Sequence, residues 1–495
     1  MTGCLIALLL IPLVAGGVAA TVRGWAGHAA TIAAGLACLG LVAAMWTSVG
    51  RGTIAVGFLR VDAVSMVFLL GTSFLYAVVA VYTAGYLRAE LARRSSRAGT
   101  RYQRRFLLGI NLFVWAMLFA PSVNGLALVW VGVEITTIVS AVLVAIDDTE
   151  AAAEAAWKYV LIASCGLGIA LLATIFMYYA GAQVLGQSYD LSFPQLLAHA
   201  GQLPATPVRL AFVLAVIGFG TKVGLFPVHT WLPDAHAEAP TPLSALLSGS
   251  LLAVSFYAIL RFYQVTAATV GAGFAGGVLL VFGVLTLLLA ALYLLDQRNL
   301  KRFLAYSSVE HMGILAIGVS FGNPIALFGV MLHVLVHAAG KGGAFLSAGA
   351  IVQGFRTKQL AHIHGAFDRM PWTASTFVIA IFALCAMPPF GIFRSEFLVI
   401  QGGFSAHHTA SAAVLVLLVT VAFVGLAATT TRSIAAGPVE GDPGPRQEAN
   451  AWMVVPVLAC VLVLLLLGLW LPGPMGEVLH NAAFELSVGG GHGPG

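Results

Sequence analysis

Two charged residues lie inside runs of sequence that are otherwise apolar enough to cross a membrane. Glu134 sits within GLALVWVGVEITTIVSAVLVAI, and Lys222 follows the run LAFVLAVIGFG. A charge at bilayer depth is costly to insert, so each residue marks a candidate functional site. A buried carboxyl group or amine that binds and releases a proton would serve ion transfer. The alternatives are a neutral, hydrogen-bonded glutamate and an ammonium group held permanently in an ion pair with Glu134.

Helix breakers accompany two of the intramembrane charges. Pro227 follows Lys222, and Pro388 and Pro389 precede Glu396 in MPPFGIFRSEF. Proline removes a backbone hydrogen bond, and the freed carbonyl group gives a buried cation or its water a local partner. A permanent ion pair would not need such a break, so the pattern favours a site where the charge changes.

Three further titratable residues repeat at helical spacing in HVLVHAAGK. His333, His337 and Lys341 are four residues apart, so a helix places them on one face. Because histidine titrates near neutral pH, such a file predicts a proton relay. Packing histidines bonded to carbonyl groups are the alternative. A zinc site is not expected, because Val334 stands where the HExxH motif needs glutamate.

Weaker candidates have stronger structural explanations. Lys158 in EAAWKYV is either part of the proton path or a lysine whose ammonium reaches the membrane surface. Glu310 and His311 in YSSVEHMG either extend the relay or join helices by hydrogen bonds. We expect Asp62, before the third apolar run, to be structural. We expect Asp234, His236 and Glu238 to be loop residues at the cytoplasmic face, where they would line a proton entrance.

The composition is that of an integral membrane protein. The 495 residues are 60% hydrophobic and 9% charged, with a mean hydropathy of +0.97, whereas a soluble protein needs roughly a quarter charged residues. The five cysteines form no CxxC pair, and no phosphate-binding glycine motif occurs. We therefore expect no redox centre, nucleotide site, bound metal or nucleic-acid partner in this chain; membrane lipid surrounds it.

The apolar runs predict an all-α polytopic fold of about fourteen transmembrane helices. The two interrupted runs, the seventh and twelfth, would be broken helices in two inverted repeats. The expected division is 1–105 for three N-terminal helices, 106–264 and 265–432 for two five-helix repeats, and 433–495 for a linker, a last helix and a tail. The expected spans are 3–22, 26–48, 62–87, 106–121, 122–145, 154–181, 208–232, 242–264, 272–295, 302–320, 324–350, 373–402, 410–432 and 451–471.

The basic residues predict the orientation. Sixteen lysines and arginines fall in loops on one side of these spans, seven of them in the loop 88–105, and four fall on the other side. Because positive loops stay in the cytoplasm, the loop 88–105 should be cytoplasmic and both termini should lie on the outer face. The segment 442–450 reads as a surface linker, and the tail after Leu471 reads as unstructured.

Three of these stretches resemble one known family. KVGLFPVHTWLPDAHAEAPTPLSALLSG, NLKRFLAYSSVEHMG and HVLVHAAGKGGAFLSAGAI are similar to the proton-translocating, antiporter-like membrane subunits of complex I, membrane-bound hydrogenases and Mrp sodium/proton antiporters. The resemblance covers most of residues 60–432. It implies fourteen helices with inverted repeats and discontinuous helices seven and twelve, in agreement with the spans above.

The resemblance also implies roles for particular residues. Glu134 falls on the family's helix-five glutamate and Lys222 on its helix-seven lysine, a pair whose charges influence each other. Glu396 falls on the terminal residue of helix twelve. Ala253, in LLAVSFYAILRFY, departs from the lysine or histidine that the family often has in helix eight. The family's central polar axis is represented by His333, His337 and Lys341.

Within this family, PPFGIFRSEF and YSSVEHMG are most similar to the hydrogenase-4 component F group. The resemblance implies an ion-translocating subunit without its own redox centre, in a prokaryotic plasma membrane. Partners would be other antiporter-like and small membrane subunits and a peripheral arm with nickel–iron and iron–sulfur centres. The alternatives are an M-type subunit of complex I, with a quinone-oxidoreductase arm, and a sodium/proton antiporter subunit. The transported ion is a proton or, alternatively, sodium.

Two other classes fit the sequence less well. A standalone secondary transporter would need a cluster of polar residues shaped to a substrate, and the sequence shows none. A purely structural scaffold would not need charges inside its membrane spans.

Overall fold

The computed structural model describes residues 1–22, 24–92, 95–434 and 447–487. In these residues the fold is almost entirely helical, with one β-hairpin of strands β1 (Ile54–Val56) and β2 (Leu59–Val61). The helices of the first half are α1 (Thr2–Thr21), α2 (Ala26–Val49), α3 (Ala63–Leu91), α4 (Ser96–Phe119), α5 (Leu126–Val144), α6 (Glu150–Leu185), α7 (Phe193–Ala198), α8 (Ala205–Val223), α9 (Trp231–Glu238) and α10 (Thr241–Leu246).

The chain continues from α10 through a π-helical turn, Leu247–Leu251, into α11. The helices of the second half are α11 (Leu252–Val270), α12 (Ala272–Leu294), α13 (Leu300–Ser320), α14 (Pro324–Phe355), α15 (Ala366–Arg369), α16 (Pro371–Leu384), α17 (Gly391–Ser405), α18 (Thr409–Ser433), α19 (Ala451–Leu469) and α20 (Gly473–Leu486). Short 3-10 turns lie at Ala120–Ser122, Ala145–Asp147, Ala200–Gln202 and Leu360–His362.

Thirteen helical segments in the described residues are long and apolar enough to cross a membrane. The centre of the bundle is formed by Thr241–Val270, whose most apolar stretch is wholly buried, with α13 and α14 beside it. The peripheral helices α1, α6, α12 and α18 keep apolar side chains outside, as helices facing lipid do. The core is mostly apolar but also buries charged and polar side chains, and the surface of the peripheral helices is apolar.

Both predicted broken helices contain a real interruption. The predicted span 208–232 ends as a helix at Val223, where Gly224 adopts a left-handed φ of 86°. The helix that follows, α9, contains Asp234, His236 and Glu238, so the prediction that these are loop residues was wrong. The predicted span 373–402 is two short helices, α16 and α17, separated by 385–390, because Pro388 and Pro389 cannot continue the α16 hydrogen bonding.

One end of the bundle, which we call the hairpin face, carries the β-hairpin and α20. There the indole of Trp46 donates a hydrogen bond to the Pro474 carbonyl at 2.8 Å, and Asn481 donates to the Gly50 carbonyl at 3.0 Å. The prediction that the chain is unstructured after Leu471 was therefore wrong as far as Ser487; residues 488–495 lie outside the described residues. The helix forms because its apolar residues repeat at three- and four-residue spacing and bury one face.

The opposite end, which we call the arginine-rich face, carries the segment 88–105. This segment is mostly helical, with α3 extending to Leu91 and α4 beginning at Ser96, so the predicted loop is much shorter than expected. Arginine, glutamine and alanine favour helix and extend both spans past the apolar region. Of the predicted linker 442–450, residues 442–446 lie outside the described residues. Within 447–450, Glu448 accepts hydrogen bonds from the Trp372 and Thr373 amides at the start of α16.

Candidate functional site

The first cluster of titratable side chains lies at the end of α8. Lys222 is fully buried, and its ammonium group donates a hydrogen bond to the hydroxyl of Tyr159 on α6. That hydroxyl also lies 2.8 Å from Ser140 Oγ on α5. The Lys222 ammonium lies 4.7 Å from the Tyr159 ring centre and 5.9 Å from that of Trp231 on α9, close enough for cation–π attraction.

The helix break positions this cluster. Trp231 reaches back from α9 and donates its indole N–H to the Thr221 carbonyl at 2.7 Å. The same ring packs 4.4 Å from the centre of the Tyr159 ring. The break thus frees a carbonyl group, and a second helix satisfies it while closing over the lysine. The lysine keeps a hydroxyl and two aromatic faces as partners.

Glu134 on α5 makes no ion pair with Lys222 within the described residues. Its side chain is only half-buried, and Oε2 has no hydrogen-bond partner there. The structure therefore does not contain the permanent Glu134–Lys222 pair that was one of the alternatives. Oε2 itself is buried, so the carboxyl group is shielded on one side while the residue as a whole stays partly exposed.

The second cluster joins α13, α14 and α17. His311 Nδ1 lies 3.1 Å from His333 Nε2, and His333 Nδ1 lies 2.9 Å from Ser395 Oγ. The Glu396 carboxylate lies 3.8 Å from His311 Nδ1. The ring of His337 lies 5.2 Å from that of His311, and both His337 ring nitrogens are buried with no hydrogen-bond partner in the described part of the chain. These side chains form a continuous buried file from α14 to the helix break before α17.

Lys341 and Glu310 extend this file towards the arginine-rich face. Both side chains are buried, and the ammonium group of Lys341 donates to Ser307 Oγ at 2.7 Å. Glu310 lies one helical turn along α13 from Ser307, with Oε2 unpartnered among the described residues. His333, His337 and Lys341 share one face of α14, as their spacing predicts. On α13, the two weaker candidates Glu310 and His311 lie beside this face of α14.

His311, His333 and Glu396 also place possible metal-ligand atoms within 4.8 Å of one another. The distance of 3.1 Å between the two imidazole nitrogens fits a hydrogen bond, which an ion would have to replace. The arrangement suits proton transfer between neighbouring rings, because each imidazole accepts a proton on one nitrogen and gives one up from the other.

A pair of hydroxyl groups lies between the two halves of the bundle. Ser248, in the π-helical turn, lies 2.6 Å from Ser308 on α13. Ser308 is the neighbour of Ser307, the partner of Lys341. Ala253, where the family often has lysine or histidine, is buried and offers no polar group. The polar contact from this part of the chain to α13 is therefore made by Ser248, in the turn that precedes α11.

Lys158 is not part of either buried cluster. Its side chain is 38% exposed and binds Glu154 at 2.5 Å, with Asp234 3.8 Å away. Asp234 also binds Arg302 at 2.5 Å. This network borders a polar cavity of about 350 Å³ on the arginine-rich face. A neighbouring cavity of about 510 Å³ contains Lys301 and the Lys358–Glu238 ion pair.

The sequence analysis missed Tyr159 and Ser395 and gave His311 only a secondary place. Tyr159 stands beside Lys158 in an ordinary amphipathic stretch, so no local pattern marks it. The adjacent pair Glu310–His311 inside an apolar helix was a usable signal for His311.

Comparison with known proteins gives consistent matches. Residues 123–424 match the model of a membrane family described as NADH:quinone oxidoreductase/Mrp antiporter. The chain is 34% identical to a hydrogenase-4 component F homolog of Methylacidiphilum infernorum, covering 87% of this chain and 89% of the relative. It is 31% identical to NADH-quinone oxidoreductase subunit N of Desulforudis audaxviator, covering 81% and 80%.

A solved structure shows the same fold. A chain of the archaeal membrane-bound sulfane sulfur reductase superposes with a TM-score of 0.85 at 21% identity, covering 99% of this chain and 98% of that one. The likeness extends over nearly the whole of both chains and shows that they share a fold.

Proposed function

The chain belongs to the NADH:quinone oxidoreductase/Mrp antiporter membrane family, and on that basis we propose that it moves protons across the plasma membrane of a prokaryote. It is an antiporter-like membrane subunit. The observation that carries the proposal is the buried file of His333, His337, Lys341 and Glu310, in which titratable groups neighbour one another inside the membrane. A permanently paired set would have no free positions, whereas both nitrogens of His337 and one oxygen of Glu310 lack partners among the described residues.

The first cluster controls the second by its charge. When Glu134 gains or loses a proton, the field at the buried Lys222 changes, because interactions between charges are strong in a medium of low polarity. The Tyr159 hydroxyl lies between Lys222 and Ser140 and can accept a proton from one side while giving one up at the other. Protons reach this region from the arginine-rich face, where Lys158 and its acidic partners border a polar cavity.

The second cluster completes the transfer. Lys341 and Glu310 receive a proton at one end of the file, and His337, His311 and His333 pass it towards Glu396 at the break before α17. Ser248 and Ser308, whose hydroxyl groups are hydrogen-bonded, bridge part of the gap between the two clusters. Imidazole is a poor ligand for sodium, so this file favours protons over sodium as the transported ion.

We infer that the chain works inside a larger complex. Glu134 is partly exposed at the side of α5, and another antiporter-like or small membrane subunit would cover this position in the complex. In this proposal the driving electron transfer takes place in partner subunits that hold the redox centres. The likeness to a hydrogenase-4 component F homolog favours partners with nickel–iron and iron–sulfur centres. An M-type subunit of complex I with a quinone-oxidoreductase arm is the second candidate, supported by 30% identity to NADH-quinone oxidoreductase subunit M of Pseudomonas aeruginosa.

A substitution at Glu134 tests the proposal. Glu134→Gln keeps the side-chain shape but cannot ionise, so electron-transfer-driven proton uptake into membrane vesicles should fall at least tenfold while the complex still assembles. Glu150→Gln is the matched control, because Glu150 is an exposed acid at the start of α6. Undiminished proton uptake by the Glu134 variant would overturn the proposed role.

A further inference from the structure

A pair of carboxyl groups lies at the hairpin face, outside both clusters. Asp62 begins α3 and accepts a hydrogen bond from the Ser65 amide at 3.0 Å. Glu485, near the end of α20, accepts from the Ala63 and Val64 amides, each at 3.2 Å. Two carboxyl groups therefore share the start of one helix, where the exposed amides and the helix dipole stabilise negative charge.

Arg261 on α11 is the buried cation of this pair. It is 2% exposed, and Nη2 lies 2.5 Å from Asp62 Oδ1 and 2.9 Å from Ser65 Oγ. Nη1 donates to Gln264, whose amide in turn donates to the Glu485 backbone carbonyl at 2.9 Å. Nε of Arg261 is buried with no partner among the described residues. The guanidinium therefore binds the Asp62 carboxylate directly and is linked to the Glu485 backbone through Gln264.

The two carboxyl groups differ in proton affinity. Burial acts to raise the pKa of Asp62, but the charge and hydrogen bond of Arg261 outweigh it and lower that pKa. Burial and the negative charge of Asp62 raise the pKa of Glu485 to about 7, against the opposing charge of Arg261. Of the other groups packed here, Arg60 on β2 reaches Asp62 at 3.7 Å, and Tyr257 on α11 bonds Ser65.

A seam of hydroxyl groups between α3 and α11 leads from this pair into the bundle. Tyr257 OH lies 3.1 Å from Ser65 Oγ, and further in, Ser250 Oγ lies 2.7 Å from Thr72 Oγ1. Ser250 belongs to the same π-helical turn as Ser248, which bonds Ser308 beside the Lys341 site. Successive links on each helix are seven residues, about 10 Å, apart, so bridging water is needed between them.

We propose that Asp62, Arg261 and Glu485 form the proton-release group of this subunit at the hairpin face; this rests on the proposed function. A proton that leaves the file along the seam, instead of at Glu396, is held by the Glu485 carboxyl group. It leaves for the solution on that side as Glu485 becomes a carboxylate. The new charge is stabilised by the two backbone amides and by the positive charge of Arg261. Asp62 stays ionised and keeps Arg261 in place.

Infrared titration of the purified complex in lipid tests this assignment without turnover. The wild type should show the carbonyl band of a protonated carboxyl group that disappears with a midpoint near pH 7, the pKa expected for Glu485. Glu485→Gln should remove this band. Asp62→Asn keeps a residue able to begin the helix, removes the neighbouring charge, and should lower the midpoint by about 1–3 pH units.

Glu477→Gln is the matched control, because Glu477 is exposed on the same helix and should leave the band unchanged. Retention of the band in Glu485→Gln, or an unchanged midpoint in Asp62→Asn, would overturn the assignment. Proton uptake in the Glu134→Gln variant distinguishes the two ideas. If Glu134→Gln abolishes proton uptake but the Glu485 band does not behave as expected, only the proposed release group is refuted. If Glu134→Gln takes up protons at the wild-type rate, the proposed function itself fails.

Discussion

Replacing Tyr159 by phenylalanine removes a hydroxyl group that accepts a hydrogen bond from Lys222 and lies 2.8 Å from Ser140. The aromatic ring remains, so its packing 4.4 Å from the Trp231 ring should persist. Ser140 also keeps a backbone acceptor, the Thr136 carbonyl at 2.5 Å. We therefore expect the free energy of unfolding to fall by about 1.5–3 kcal/mol, the usual contribution of a hydrogen bond to a charged group.

Loss of the same hydrogen bond should also slow proton transfer. A hydrogen bond to a charged group contributes about 1.5–3 kcal/mol, and about 1.4 kcal/mol corresponds to a factor of ten. If proton transfer at Lys222 limits the rate, the Tyr159→Phe variant should take up protons about 10- to 100-fold more slowly. The assay is electron-donor-driven proton uptake into vesicles, normalised to the amount of assembled complex.

A matched variant on the same helix separates this effect from a general disturbance. Tyr178→Phe also removes a phenolic hydroxyl from α6, one that donates to the Gln187 carbonyl at 2.7 Å at the far end of the helix. It should leave proton uptake within about twofold of the wild type, since it touches no buried titratable group. Wild-type uptake in Tyr159→Phe would refute the role of Tyr159 as the group between Lys222 and α5.

Two further predictions concern orientation and partners. A cysteine introduced at Ser95, at the start of α4, should be inaccessible to an impermeant thiol reagent in intact cells and labelled after lysis, because the arginine-rich face should be cytoplasmic; labelling in intact cells would reverse the topology. Affinity purification of the tagged chain should recover a nickel–iron hydrogenase-like large subunit, and recovery of a flavin-containing NADH-oxidising module instead would move the assignment to complex I.

Much of the helical architecture could be predicted from hydropathy, because a long apolar run in lipid must satisfy its backbone hydrogen bonds internally and does so as an α-helix. The interruptions near Pro227 and Pro388 could be predicted as well, since proline cannot continue a helix. The hairpin at 54–61 and the helix α20 were missed. Both are short amphipathic elements whose stability depends on docking to helix ends that are distant in sequence.

The candidate site was predictable only where it is local. The file on α14 follows from the four-residue spacing of His333, His337 and Lys341. The partner of Lys222 did not follow, because Tyr159 lies 63 positions away on another helix. The half-buried position of Glu134 could not be predicted either, since periodicity in a wholly apolar run does not show which face packs inside. The two inverted repeats stay a prediction.

Proton movement coupled to electron transfer is the central claim, and the purified complex in sodium-free proteoliposomes tests it most directly. Addition of the electron donor should change the internal pH, and a protonophore should abolish that change while electron transfer continues. Restoring sodium should not be required. Electron transfer that proceeds at full rate with no change in internal pH, or only with sodium present, would contradict the account.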